Sequence, residues 1–223
     1  MSVSMAIDCT NGNLTCAIFD QDIIYLDHYE ATAGDSAERL APIIQDGLQH
    51  HHIKPENIDN IISVAGPGGF SGVRTGTSFV TGFAAVTGAK IHALSSLEAL
   101  ALSIADPEKG GLILCALNAK RASLYFQAFT VDFVSVTEPL LLQLSEIEET
   151  LKSISIDRPL YLAGHGADFL KPHLKGHDII TEIAATRASL FGPKARYISS
   201  EKPHMPIYLR APDAAYPKKK FTL

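Results

Sequence analysis

The sequence predicts an α/β protein of two lobes, each a mixed sheet with flanking helices. Three observations carry this expectation. The order strand, strand, strand, helix, strand occurs twice along the 223 residues, beginning near residue 3 and again near residue 112. Between the two runs lies DPEKGG, Asp106 to Gly111, the clearest linker in the chain. Asp8 and Asn118 stand at matching places, each ending the first strand of its half. The halves share negligible identity, so the repeat lies in the pattern rather than in the letters. The expected lobes are 1–106 and 107–223.

The elements follow in order. VSMAIDCT is an apolar run that ends in Asp8. NGN, Asn11 to Asn13, is a hairpin signal, since Asn and Gly accept the positive φ of tight turns. LTCAIFD alternates, and IIYLDHYEA completes a three-strand meander. Asp35 or Ser36 then caps a helix whose Leu40, Ile43, Ile44 and Leu48 share one face, with Pro42 predicting a kink or a late start. IDNIISVAG reads as a buried strand. SGVRTGTSFVTGFAAVTG reads as a helix of small residues, in which each glycine costs up to about 1 kcal/mol. KIHALS is a short strand and SLEALALSIA a helix. After the linker come LILCALNA, RASLYFQAFT and VDFVSVTEPLLL as strands, LSEIEETLKSI as a helix and RPLYLAGHG as a buried strand.

Composition narrows the function classes. With 46% apolar and 19% charged residues the chain reads as an ordinary globular protein. Its net charge of −5 argues against a protein that grips nucleic acid by itself, and only PKKKFTL at the end is basic. No apolar run reaches the ~18 residues of a membrane span, and MSVSMAIDCT lacks the basic start of a signal peptide. Cys9, Cys16 and Cys115 show no metal spacing and read as buried, reduced thiols. A cytoplasmic protein without a membrane partner is expected. The three histidines His50–His52 cannot share one helical face, because successive residues point about 100° apart. His173 and His177 have the i, i+4 spacing of a metal pair but no evident third ligand. No metal site is expected, and no Ser/His/Asp triad can be assembled.

The densest motif is VAGPGGFSGVRTG, Val64 to Gly76, with five glycines between a strand and a helix. It is not a Walker A loop, because no Lys-Ser or Lys-Thr pair is present. Nor does it open a βαβ unit as a dinucleotide fingerprint does. Amides at a helix N-terminus favour an anion, and Gly66, Gly68 and Gly69 allow close backbone approach. Arg74, one turn into the helix, is within reach of an anionic group. A tight turn with no ligand satisfies the same residues. Both readings stand on this ground.

Two lobes that each open with a meander and continue helix–strand point to the duplicated ribonuclease-H-like, actin-type (ASKHA) fold. Active members of that fold bind nucleotide phosphates between the lobes, with the first-strand acid and its following turn facing the cleft. The chain also resembles the TsaB (YeaZ) family. The matching stretches are AIDCT near the N-terminus, SAERLAPII on the first helix, GPGGFSGVRTG, NAKRASLYF, GHGAD from Gly164 and PIYLR ending at Arg210. They are collinear over nearly the whole chain, and the GPG…G-x-R-x-G stretch is the specific one. Departures from the family pattern are Cys9, Asp35, Gly69, Ser71, Asn118, Lys120 and Leu124. An amide at Asn118 would serve a metal–nucleotide less well than a carboxylate.

The resemblance implies a function. TsaB-like proteins are noncatalytic relatives of TsaD, which transfers a threonylcarbamoyl group to the adenosine beside the anticodon of tRNAs reading ANN codons. They pair with TsaD, are joined by the ATPase TsaE, and form homodimers when isolated. The pairing surface comes from the first two helices. Leu40, Ile44, Leu48, Gly76, Phe79, Val80, Gly82 and Phe83 are the candidate partner residues. Asp8, Gly66, Pro67, Gly68, Gly69 and Arg74 are the candidate nucleotide contacts. No catalytic residue and no tightly bound cofactor are expected, with ATP or ADP placed at the junction with TsaD and tRNA reached only through the complex. The competing expectation is an actin-type ATPase or phosphotransferase working in its own interlobe cleft.

Overall fold

A computed structural model describes residues 2–21, 23–31, 35–108, 110–154, 156, 158–198 and 204–210. The terminal PKKKFTL run lies outside them. The first sheet contains β1 (Val3–Asp8), β2 (Asn13–Phe19), β3 (Ile24–Ala31), β4 (Ile58–Val64) and β5 (Lys90–Leu94), in the order β3-β2-β1-β4-β5. The second contains β6 (Leu112–Asn118), β7 (Ser123–Thr130), β8 (Leu140–Gln143), β9 (Leu160–Ala163) and β10 (Ile179–Ile183), in the order β10-β9-β6-β7-β8. Read from its third strand, the second order is β8-β7-β6-β9-β10, the same as the first. Within each sheet the meander is antiparallel, and the pairs β1–β4, β4–β5, β6–β9 and β9–β10 are parallel. This is the duplicated actin-type architecture, with Asp8 and Asn118 each closing a first strand.

Five layers stack on one another. The helices α1 (Ser36–His50) and α2 (Phe70–Thr87) cover the outer face of the first sheet. The helices α3 (Ser96–Leu102) and α5 (Ala188–Lys194) lie between the two sheets, and α4 (Ile147–Ser153) covers the outer face of the second. The central helix α3 is buried along its whole length. Its Ala99 and Leu102 pack on the first sheet, while Leu97, Leu100 and Ala101 pack on the second. Each buried leucine contributes roughly 1.5–3 kcal/mol, so this seven-residue helix depends on both sheets. Its start is fixed by a capping box, in which Ser95 Oγ accepts the Glu98 amide and Glu98 returns to the Ser95 amide.

Several expectations need correction. Pro42 neither kinks nor delays α1, which runs unbroken from Ser36; the proline sits on the exposed face while Leu40, Ile44 and Leu48 anchor the other. Asp35 is the N-cap, but its side chain forms no cap hydrogen bond. VDFVSVTEPLLL yields only the short β8 and one isolated bridge, Phe129 to Ser135. The elements β10 and α5 were not foreseen. Of these, α5 redraws the lobe boundary. Although it lies in the 107–223 half, its Phe191 and Ala188 pack on the first sheet with Ala6, Ala17 and Phe19. Gly192 makes this approach close: a Cβ there would lie 2.7 Å from the Phe19 ring and 2.8 Å from Ala6 Cβ.

Candidate functional site

In each lobe a Gly-rich segment packs against the end of the first strand or the turn that follows it. Asp8 ends β1 and is 3% exposed. Its Oδ1 accepts the Thr10 amide at 2.7 Å and its Oδ2 accepts the Thr186 hydroxyl at 2.5 Å. Thr186 belongs to the segment that returns from the second sheet to α5. Burial pushes the Asp8 carboxyl above the ordinary carboxylate range, against the pull of its hydrogen bonds to Thr186 and Thr10. Thr10 carries the network onward: its hydroxyl meets the Ser96 hydroxyl at 2.9 Å and accepts from Asn11 Nδ2 at 2.7 Å.

The Gly-rich loop closes onto this turn. The Gly69 amide donates to the Thr10 carbonyl at 2.7 Å, and Gly69 is the N-cap of α2. A Cβ at Gly68 would strike the Thr10 carbonyl, and one at Gly72 the Cys9 carbonyl. Gly66 has φ +105° and precedes a cis Pro67; its carbonyl accepts the Ser96 amide at 2.7 Å. The glycines thus serve contact between two stretches of backbone. The candidate nucleotide contacts Asp8, Gly66, Pro67, Gly68 and Gly69 do come together, but the Asp8 carboxylate, the Gly66 carbonyl and the Gly69 amide engage the chain itself. These residues do not fit nucleotide phosphates held in this cleft: carbonyls line the approach, and both Asp8 oxygens are occupied. Arg74 stands apart, exposed on α2.

The second lobe repeats the scheme. Asn118 Oδ1 accepts the Lys120 amide at 2.8 Å, as Asp8 does for Thr10. Gly164, at φ +98°, and Gly166 lie against the Ala116 carbonyl, and the Gly166 amide donates to it at 2.9 Å. The difference is exposure: Asn118 is open where Asp8 is sealed.

A segment that sequence reasoning left without a role crosses this junction. In residues 204–210, the Ile207 amide donates to the Ala65 carbonyl at 2.7 Å, and Tyr208 lies 5.0 Å from the Phe70 ring. His204 contacts the Ser63 hydroxyl at 2.9 Å and the Thr81 hydroxyl at 3.4 Å. Arg210 ends the strap on the second lobe, donating to Ala119 O, to Ser123 Oγ at 2.7 Å and to Lys120 O at 3.4 Å. PIYLR had only its motif to mark it, and no periodicity could have placed it here.

The candidate partner residues divide. Leu40, Ile44, Leu48 and Val80 are 0–5% exposed and fill the core of the first lobe. They therefore cannot face a partner, because the positions that give α1 its apolar stripe are the ones its own sheet uses. Gly76 is also buried, 3.8 Å from the Cys9 side chain at its would-be Cβ. Phe79 and Phe83 are half-buried, with ring centroids 5.9 Å apart. Gly82 alone of the eight is fully on the surface, with open space where a Cβ would stand. Ser71, Ser78, Ala85 and Val86 share its exposure.

Elsewhere, Cys9, Cys16 and Cys115 are buried free thiols. His173 ends a 3-10 turn and Gly176, at φ +86°, separates it from His177, so the two do not share a helix. Among the described residues, no three His, Cys, Asp or Glu side chains converge on a metal position. Among those same residues, no helix is long and apolar enough to cross a membrane.

Known proteins share both sequence and fold with this chain. The family profile described as "TsaD: tRNA N6-adenosine threonylcarbamoyltransferase" matches residues 30–196. The tRNA threonylcarbamoyladenosine biosynthesis protein TsaB of Bacillus subtilis is 27% identical over 170 residues, covering 75% of this chain and 72% of that one. The TsaB protein of Buchnera aphidicola subsp. Baizongia pistaciae is 25% identical over 181 residues, 76% of this chain and 81% of its own. The solved structure of YeaZ from Pseudomonas aeruginosa superposes with a TM-score of 0.77 at 20% identity, over 94% of this chain and 100% of that one. An inorganic polyphosphate/ATP-glucomannokinase from Arthrobacter sp. strain KM shares the fold at a TM-score of 0.50 and 12% identity, over 88% of this chain and 98% of its own.

Proposed function

The chain belongs to the TsaD family and within it to TsaB (YeaZ), and from that premise we propose that it is a noncatalytic subunit in tRNA threonylcarbamoyladenosine biosynthesis. In this reading it pairs with TsaD, TsaE joins the pair, and TsaD performs the transfer. One observation carries the noncatalytic part: the cleft that an actin-type enzyme keeps open for phosphates is here closed by the chain's own backbone. Asp8 is bound to Thr10 and Thr186, and the Gly-rich loop is bound to the Thr10 turn. An ATP or ADP in the assembly is assigned to the junction with TsaD, with Arg74 on the exposed side of α2 as this chain's contact.

The partner surface in this reading is the outer face of α2 beside α1. Ser78, Gly82 and Ala85 recur there at helical spacing and present little bulk. Such a face lets a second helix approach closely. Phe79 and Phe83 supply ring edges at its border. Gly82→Leu adds bulk into open space, so the monomer stays folded while the approach is blocked. Gel filtration of the variant, alone and mixed with TsaD, is expected to give a monomer and no complex. Pairing that survives Gly82→Leu would move the partner surface elsewhere.

A further inference from the structure

The β6–β7 turn has an unusual backbone. Lys120, Arg121 and Ala122 have φ values of +61°, +51° and +54° in succession. None is glycine, and left-handed backbone costs an L-residue roughly 1–2 kcal/mol. Strain of this kind persists only where the surroundings impose it. Here they do so at both ends. Asn118 Oδ1 accepts the Lys120 amide, and the Ser123 amide and hydroxyl both donate to the Lys120 carbonyl at 3.1 and 2.8 Å. From the strap, the Arg210 guanidinium binds Ala119 O, Lys120 O and Ser123 Oγ, while the Leu144 amide holds the Ala122 carbonyl at 2.9 Å.

The imposed shape leaves Lys120 and Arg121 exposed at the rim of the interlobe junction. Two adjacent exposed cations thus stand at this rim in a protein with 24 acidic and 19 basic residues. Glu146, on the segment bound to Ala122, has its carboxylate turned to the Gln143 amide at 2.9 Å. Successive residues on a helical backbone of either hand project about 100° apart. The two cations therefore diverge, which suits neighbouring phosphates of an extended chain better than one compact anion.

We propose that the Lys120–Ala122 turn docks the phosphate backbone of an RNA, and that Arg210 is the positioning residue that holds it in docking shape. This rests on the reading of the chain as a tRNA-modification subunit, which supplies an RNA partner. The turn reads no sequence; it adds affinity and orientation to the assembled complex.

The test measures binding of a labelled tRNA that reads an ANN codon to the full chain reconstituted with TsaD and TsaE, across a salt series. K120Q/R121Q is expected to weaken binding and to flatten the dependence of log K on log salt by about 2, one for each lost phosphate contact. R210A keeps both cations, so affinity is expected to fall while the slope changes by less than about 1. Circular dichroism checks that the variants are folded. An affinity and slope equal to wild type for K120Q/R121Q would overturn the docking role, and unchanged affinity for R210A would overturn the positioning role. Polyglutamate that binds wild type but not K120Q/R121Q, with tRNA binding unaltered, would reassign the turn to an acidic protein. A modification assay with the chain omitted separates the premise: activity without the chain defeats the subunit reading, whereas a requirement for the chain met equally by K120Q/R121Q defeats only this inference.

Discussion

Asp8 illustrates how a carboxylate at the end of a first strand can be engaged by the fold itself. A carboxylate at the end of the first strand suits a metal–nucleotide role only if an oxygen faces the cleft. Here both oxygens are taken, and burial raises the pKa. An asparagine would accept from Thr10 and donate to Thr186 without the buried charge. Asp8→Asn is therefore expected to melt at or above the wild-type temperature at pH 7. The pH dependence has a fixed sign. Because the folded pKa lies above the unfolded one, the wild type gains stability relative to the variant as pH falls through the folded value, and the gain is complete below the ordinary carboxylate range. Melting curves of both proteins across pH check this; a variant that loses ground as pH rises would contradict it. Asp8→Ala is expected to cost about 1–3 kcal/mol by leaving the Thr10 amide and Thr186 hydroxyl unpaired. Gly72→Ala should be worse than a surface change, on the order of 3 kcal/mol, since the new Cβ meets the Cys9 carbonyl.

At the scale of the element, α1 and α2 separate two things that apolar periodicity alone merges. The pattern located both helices, yet Leu40, Ile44, Leu48 and Val80, which the family resemblance offered to a partner, are consumed by the sheet beneath. An apolar stripe records burial but not what does the burying. Ile44→Ala is accordingly expected to destabilise the isolated chain by about 2–5 kcal/mol in urea or thermal unfolding, whether or not a partner is present. Gly82 behaves in the opposite way. Gly82→Ala on the exposed face should stabilise the monomer by up to about 1 kcal/mol, because a helical glycine is replaced where nothing obstructs a methyl group. Destabilisation of the monomer by Gly82→Ala would mean that the outer face is already packed. The first hairpin was legible because its Asn11-Gly12 turn acts locally, and α3 because residues 99–102 form an unbroken apolar run. β10 and α5 were not: β10 is a half-exposed edge strand, and α5 carries Gly192 and Pro193 within its seven residues, which read as helix breakers.

The whole molecule is tied across its two lobes in a way no local pattern encodes. α5 returns from the second half to the first sheet. The Ala188 amide donates to Thr15 Oγ1 at 3.0 Å, the Arg187 amide to Ser103 Oγ at 3.1 Å, and Lys194 Nζ to the Ile104 carbonyl at 2.7 Å. The Arg187 guanidinium lies 3.9 Å from the Tyr29 ring centroid. The strap of residues 204–210 then adds a second crossing, from Ser63 to Ser123. The duplicated order of elements was readable because each lobe repeats it. The closed junction was not, because it joins residues such as Asp8 and Thr186 that lie 178 positions apart. We propose that a junction so bridged serves a partner subunit rather than an enzyme that opens and closes on nucleotide. The direct measurement is threonylcarbamoylation of a tRNA reading ANN codons by reconstituted TsaD, TsaE and the adenylate-forming partner, with wild-type chain, with Asp8→Asn, and with neither. The account predicts modification that requires the chain and proceeds as well with Asp8→Asn as with wild type. Equal modification without the chain, or its loss with a folded Asp8→Asn protein, would contradict it.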